Sequence, residues 1–124
     1  MSFASDIEKY AKKTNRNVED VCIATFVELF SRVILNTRVD TGRLRGNWQA
    51  TIDSPASKED NNRIDPNGTG AITEVERTVN PTRVNYLTNN LPYAKKWEDV
   101  DGMVARSIRR LKRTLKEAVR DVTN

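Results

Sequence analysis

The chain has 124 residues, 37% of them hydrophobic and 31% charged, and a formal net charge of +4. That length makes one domain with a modest core, since a domain of about this size buries roughly two-thirds of the surface its unfolded chain exposes. There is no histidine and only one cysteine, which excludes histidine-based triads, imidazole acid-base pairs, histidine-ligated zinc and any internal disulfide.

In chain order, Ser2 or Ser5 suits the cap of a first helix reaching about Lys13, with Phe3, Ile7, Tyr10 and Ala11 on one side. Asn15 to Asn17 break it. A second helix begins after Asn17, where Glu19 and Asp20 place negative charge in the first turn, and runs to about Thr37. Its apolar residues wrap well past a single stripe, which predicts cover on more than one side, by its own chain or partly by a neighbouring subunit. Cys22, among Val21, Ile23 and Ala24, reads as a small buried apolar side chain rather than a reactive thiol.

Asp40, Thr41 and Gly42 supply the short polar side chains and permissive backbone that stop the helix and reverse the chain. Leu44, Gly46, Trp48, Ala50 and Ile52 then alternate with Arg45, Asn47, Gln49, Thr51 and Asp53. That period predicts a half-buried strand from Leu44 to Ile52 with Trp48 as its core anchor. Residues 53–70 are rich in Ser, Pro, Asn, Asp and Gly and predict a long surface loop, an arm that would order against a neighbour in an assembling protein. Ala71 to Val79 predicts a short helix burying Ile72, Val75 and Val79, and Arg83 to Thr88 a second strand. Pro92 opens a helical turn in which Tyr93, Ala94 and Trp97 share a packing face. Gly102 starts the last helix, which runs to about Val122 with Val104, Ile108, Leu111, Leu115, Ala118, Val119 and Val122 as its buried seam. The sum is a single α+β domain over residues 1–124: a small antiparallel sheet packed against a long helix of the N-terminal half and a C-terminal helix.

Little in the chain suggests catalysis. Asp65 to Glu76 fits a twelve-residue calcium loop, with Asp65, Asn67, Thr69, the Ala71 carbonyl and Glu76 at ligand positions and Gly70 at the sharp turn. The preceding residues lack the apolar face of an entering helix and no second loop exists to pair with, so the segment is expected to be a turn before a helix. Gly68, Thr69 and Gly70 are too short a run for a phosphate loop. No set of residues completes the roles of an active site, so neither an enzyme nor a bound metal or cofactor is expected. No apolar run approaches the ~20 residues of a membrane span and no signal pattern opens the chain, which predicts a soluble product made in the cytoplasm.

Charge is unevenly placed. Residues 102–124 carry seven basic side chains against two acidic ones, while the preceding residues nearly balance. Arg106, Arg109, Arg110, Lys112, Arg113, Lys116 and Arg120 therefore give the last helix a face able to hold phosphates or to meet an acidic partner.

Three ordered blocks resemble one family. The run from Val39 to Gln49 (V-D-T-G-R-L-R-G-N-W-Q), the run from Tyr86 to Ala94 (Y-L-T-N-N-L-P-Y-A), and Gly102, Met103, Val104 are similar to segments of the tail-completion or head-to-tail joining (neck) proteins of long-tailed bacteriophages. One departure is visible: Glu98 to Asp101 lead directly into Gly102, where relatives have a longer glycine-bearing loop. The resemblance implies a virion structural protein at the tail or the head-tail interface, assembled in the host cytoplasm. It implies a closed homo-oligomeric ring, preferably a hexamer, touching neighbouring neck and tail proteins and transiently phage DNA, with no membrane role. In that setting Asp40, Thr41, Gly42, Arg43, Leu44, Arg45 and Trp48 form the turn and strand, with the arginines available for pairs between subunits. Asn89, Asn90, Pro92 and Tyr93 form the second turn and helix start, and the arginines of the last helix line a DNA passage or dock a neighbour. The charge pattern taken alone implies an alternative, a small nucleic-acid-binding protein that works through the basic C-terminal helix.

Overall fold

The computed structural model describes residues 3–60 and 62–120. In chain order the described elements are α1 (Phe3–Lys13), α2 (Val18–Asn36), α3 (Arg43–Gly46), β1 (Trp48–Ile52), α4 (Thr69–Thr78), β2 (Asn85–Asn89), α5 (Ala94–Asp101) and α6 (Met103–Val119). The fold is α+β, with β1 and β2 forming a two-stranded antiparallel sheet.

The long α2 organises everything else, because its apolar residues leave it in two directions. Toward the sheet, Phe30, Val33 and Ile34 meet Trp48 and Ala50 of β1, Ala71 and Val75 of α4, and Met103 of α6. Toward the other side, Val21 meets Ile7 and Ala11 of α1 and Leu115 of α6. A third cluster joins Leu44, Leu91 and Ala94. The helix begins as its sequence requires: the Asn17 side chain accepts from the Glu19 amide at 2.7 Å, satisfying one of the unpaired amides of the first turn. Cys22 is half-buried beside the α1 cluster.

Three expectations need correction. The strand expected from Leu44 starts only at Trp48, because Gly42 adopts a left-handed φ of 96° and sets Arg43–Gly46 into one helical turn. Alternation of side chains persisted through that turn by coincidence. The polar segment is a surface loop that ends earlier than expected, since α4 already starts at Thr69, and at Asp60 it is fastened to its own domain by Asn47. The α6 seam consists of Met103, Ser107, Leu111, Leu115 and Val119, a row spaced by four, while Ile108 is exposed. Ile108 lies about 100° round the helix from that row, outside the contact with α2. Ser2 and Val122, assigned to a cap and to the seam, lie outside the described residues.

Candidate functional site

The first block that carries the family resemblance is a clamp at the end of α2. A helix terminus leaves carbonyls without partners, and Arg45 takes them up: its guanidinium donates to the Leu35 carbonyl at 2.9 Å and to the Thr37 carbonyl at 2.8 Å. The same group donates to the Pro66 carbonyl at 2.7 Å, so one side chain ties α2 to the distant loop. Thr37 is fully buried; its hydroxyl donates to the Val33 carbonyl at 2.7 Å and accepts from the Trp48 indole at 2.8 Å. That bond satisfies the polar end of a tryptophan otherwise packed in the core.

The glycines of the block admit the loop. A Cβ on Gly42 would lie 2.6 Å from the Pro66 nitrogen, and one on Gly46 would lie 2.5 Å from the Arg63 carbonyl oxygen. Asn47, wholly buried, then brackets the loop: its amide group donates to the Asp60 carbonyl at 3.0 Å and its oxygen accepts from the Asp60 amide at 2.8 Å. Arg43 pairs with Glu59 at 3.3 Å. Arg43 and Arg45, expected to be available for a neighbouring subunit, are thus engaged within their own chain. The physical reason is that helix-end carbonyls and a returning acidic loop lie within their reach.

The second block joins the first. Asn89 donates to the Leu44 carbonyl at 2.8 Å and accepts from the Leu91 amide at 3.2 Å, while Asn90 donates to the Ala56 carbonyl at 2.8 Å. Pro92 is exposed ahead of α5, and Tyr93 is half-buried at its start. Asp40, Thr41, Leu44 and Tyr93 line a shallow groove whose walls are Arg38 and Trp97. Arg38 lies 3.5 Å over the Trp97 ring and forks onto Asp101 at 2.7 and 2.8 Å. Hydrogen bonding from Arg38 holds the Asp101 carboxyl below its ordinary range, with a smaller contribution from Arg106. Across the sheet, Arg83 does the same to Asp53, which lies at 3.0 Å from the Arg83 Nε.

The basic residues sit elsewhere, on the outer side of α6. Arg106, Arg109, Arg110, Arg113, Lys116 and Arg120 are all exposed and fall within an arc of roughly 120° at helical spacing. Arg106, Arg109, Arg110 and Arg113 surround a shallow pocket closed by Asn36 of α2. Among the described residues, none of these six makes a salt bridge. Glu117 falls on the same face and interrupts it.

The calcium-like segment has a different use. Asp65 caps α4, its carboxylate accepting from the Ala71 amide at 2.9 Å while its carbonyl accepts from the Gly68 amide at 3.1 Å. Thr69 to Glu76 are already helical, which strings the supposed ligands over about 10 Å of helix instead of round an ion.

Several important residues gave no sequence signal. Arg63 and Glu74 look like ordinary surface charges, and Asn36, Thr37 and Arg38 like the frayed end of a helix. Gly42 and Gly46 are the one available signal that another stretch of backbone passes close by, and in the sequence they read instead as a turn and a strand position. No family model, no curated protein and no solved structure matches this chain.

Proposed function

We propose that the chain is a structural subunit of a phage neck, completing the tail or joining it to the head as a closed ring of identical copies, with six the number the resemblance implies. The observation that supports this reading most is the clamp. The residues that resemble the family hold backbone to backbone: Arg45 on helix-end carbonyls, Asn47 around Asp60, Trp48 on Thr37. A ring subunit needs a fixed shape and no reactive centre, and this use of the motif suits that need. Its place would be the virion, and its neighbours the adjoining neck and tail proteins. Analytical ultracentrifugation with electron microscopy of the purified chain tests the proposal. A closed ring of discrete mass is expected; a monomer at every concentration that fails to join heads or tails overturns it.

A second reading is favoured by one specific observation, the four arginines grouped around Asn36 on the outer face of α6. In that reading the chain binds nucleic acid through phosphates, with no sequence preference, because no base-reading motif accompanies the charge. Duplex DNA affinity would then fall with salt at a log-log slope of about −3 to −4 for four neutralised phosphates. A chain that stays monomeric until DNA is added would favour this reading over the ring.

A further inference from the structure

The two edges of the sheet are finished in opposite ways. On β1, Arg63 donates to the Trp48 carbonyl at 2.8 Å, Glu74 accepts from the Ala50 amide at 2.8 Å, and the two side chains are ion-paired at 2.9 Å. The pair supplies one donor and one acceptor to carbonyl and amide two residues apart, as a single residue of a parallel third strand would. Between Trp48 and Ala50 that edge is closed.

The edge of β2 is open. Its register runs from Trp48 opposite Asn89 to Ile52 opposite Asn85, and the Asp53 amide continues it onto the Val84 carbonyl at 2.8 Å. Hydrogen-bonded pairs alternate along an antiparallel ladder. Val84, Tyr86 and Thr88 therefore turn their backbone groups toward β1, and Asn85, Leu87 and Asn89 turn theirs outward. Among the described residues nothing bonds to these outward amides and carbonyls. Nor does the strand carry the usual protection of an edge, which is charge, proline or a bulge. Residues 84–94 contain no charged side chain in a chain that is 31% charged, and proline comes only at 92, beyond the strand.

We propose that the free edge of β2 pairs antiparallel with the same edge of a second copy, centred on Leu87. Register and the uncharged seam both suit this occupant. The outward groups lie at 85, 87 and 89, symmetric about Leu87, so a two-fold axis sets Leu87 opposite Leu87 and Asn85 opposite Asn89, giving roughly six backbone hydrogen bonds. In the close pairs between them, Tyr86 of one copy meets Thr88 of the other, an aromatic residue against a β-branched one. The exposed Val84 continues that face. With no charge along the seam, two copies of a basic protein meet there without repulsion. Two strands become four, a more usual sheet size. The contact is two-fold and closes on itself, so it differs in symmetry from the head-to-tail contact of a ring and does not depend on it.

The test uses the full chain, by sedimentation and by hydrogen exchange at the Leu87 amide. The wild type is expected to sediment as a dimer or as even multiples, with Leu87 exchange slowing as concentration rises. Tyr86→Lys with Thr88→Lys sets lysine opposite lysine twice and should weaken pairing at least ~30-fold, with fast Leu87 exchange and unchanged helical circular dichroism. Tyr86→Glu with Thr88→Lys sets opposite charges across the same pairs and should restore the dimer. Fast Leu87 exchange in the wild type at every concentration overturns the proposal, and this measurement stands even where the double-lysine chain fails to fold. A ring whose mass ignores the double-lysine change also overturns edge pairing while leaving the ring reading intact. A dimer that splits in that variant and never grows into a ring supports edge pairing and rejects the ring.

Discussion

Arginine is used in contrary ways at the end of α2 and on the back of α6. At the clamp, Arg45 and Arg63 lie against backbone carbonyls, with distances of 2.7 to 2.9 Å to Pro66, Leu35, Gly46 and Trp48. On α6, Arg109, Arg110 and Arg113 are exposed and, among the described residues, carry no salt bridge. The same planar fork of donors thus holds the fold together in one place and stands exposed to solvent in the other. What separates them is the supply of unpaired acceptors. A helix end and an edge strand offer carbonyls that water would otherwise satisfy, whereas the mid-helix surface of α6 offers none.

Mutations can break this contrast, and their expected effects fall in a definite order. The largest belongs to Trp48→Ala, which removes a buried aromatic and takes away the donor that the Thr37 hydroxyl accepts from; a loss of about 3 to 5 kcal/mol is expected in denaturant unfolding. Arg45→Ala should follow at about 2 kcal/mol, and Arg45→Lys should recover only part of that, because one ammonium cannot reach Leu35, Thr37 and Pro66 together. Unfolding midpoints equal for all three chains would contradict the clamp. Gly42→Ala meets both a left-handed backbone and the Pro66 nitrogen, so about 1 to 3 kcal/mol is expected, read the same way. Arg109→Ser with Arg113→Ser, by contrast, should change stability by no more than about 0.5 kcal/mol. The same change should weaken adhesion to heparin or DNA and lower its salt slope by about 2.

Smallest is the response to acid. Asp53 and Asp101 are held below their ordinary value of 3.8 by Arg83 and Arg38. A carboxyl whose folded pKa is lowered contributes stability that is present above the unfolded value and is lost as pH falls through the folded one. Unfolding midpoints should therefore decline as pH drops below about 3.8, and Arg38→Ala should flatten part of that decline. Both carboxyls are near the surface, so the effect is a direction and a small one.

The helices were largely legible because each carries its own period and punctuation. Ile7 and Ala11 on α1, and Leu111 and Leu115 on α6, could be placed from spacing alone, as could the breaks at Asn15 to Asn17 and at Gly102. The start of β1 could not, since Leu44 and Gly46 keep the alternation of a strand while Gly42 turns them into a helix. Residues 53–68 were legible as a surface loop, and most of those described are exposed, but their structural use was not. Their side chains mostly face solvent as their polarity promised, while their backbone serves as the partner of Asn47, Gln49 and Asn90.

Local order in the chain therefore determined the longer helical segments, most of their apolar positions, and that positive charge collects on the last helix, because these follow from periodicity and composition within a few residues. Tertiary structure decided which charges are taken up and which remain: whether an arginine finds a carbonyl depends on backbone brought from 10 to 21 positions away. It also decided that Arg63 and Glu74 cover the β1 edge at Trp48 and Ala50 while, among the described residues, nothing bonds to the outward backbone groups of β2. Hydrogen-bond satisfaction is a property of the folded surroundings, and no single stretch of residues contains it.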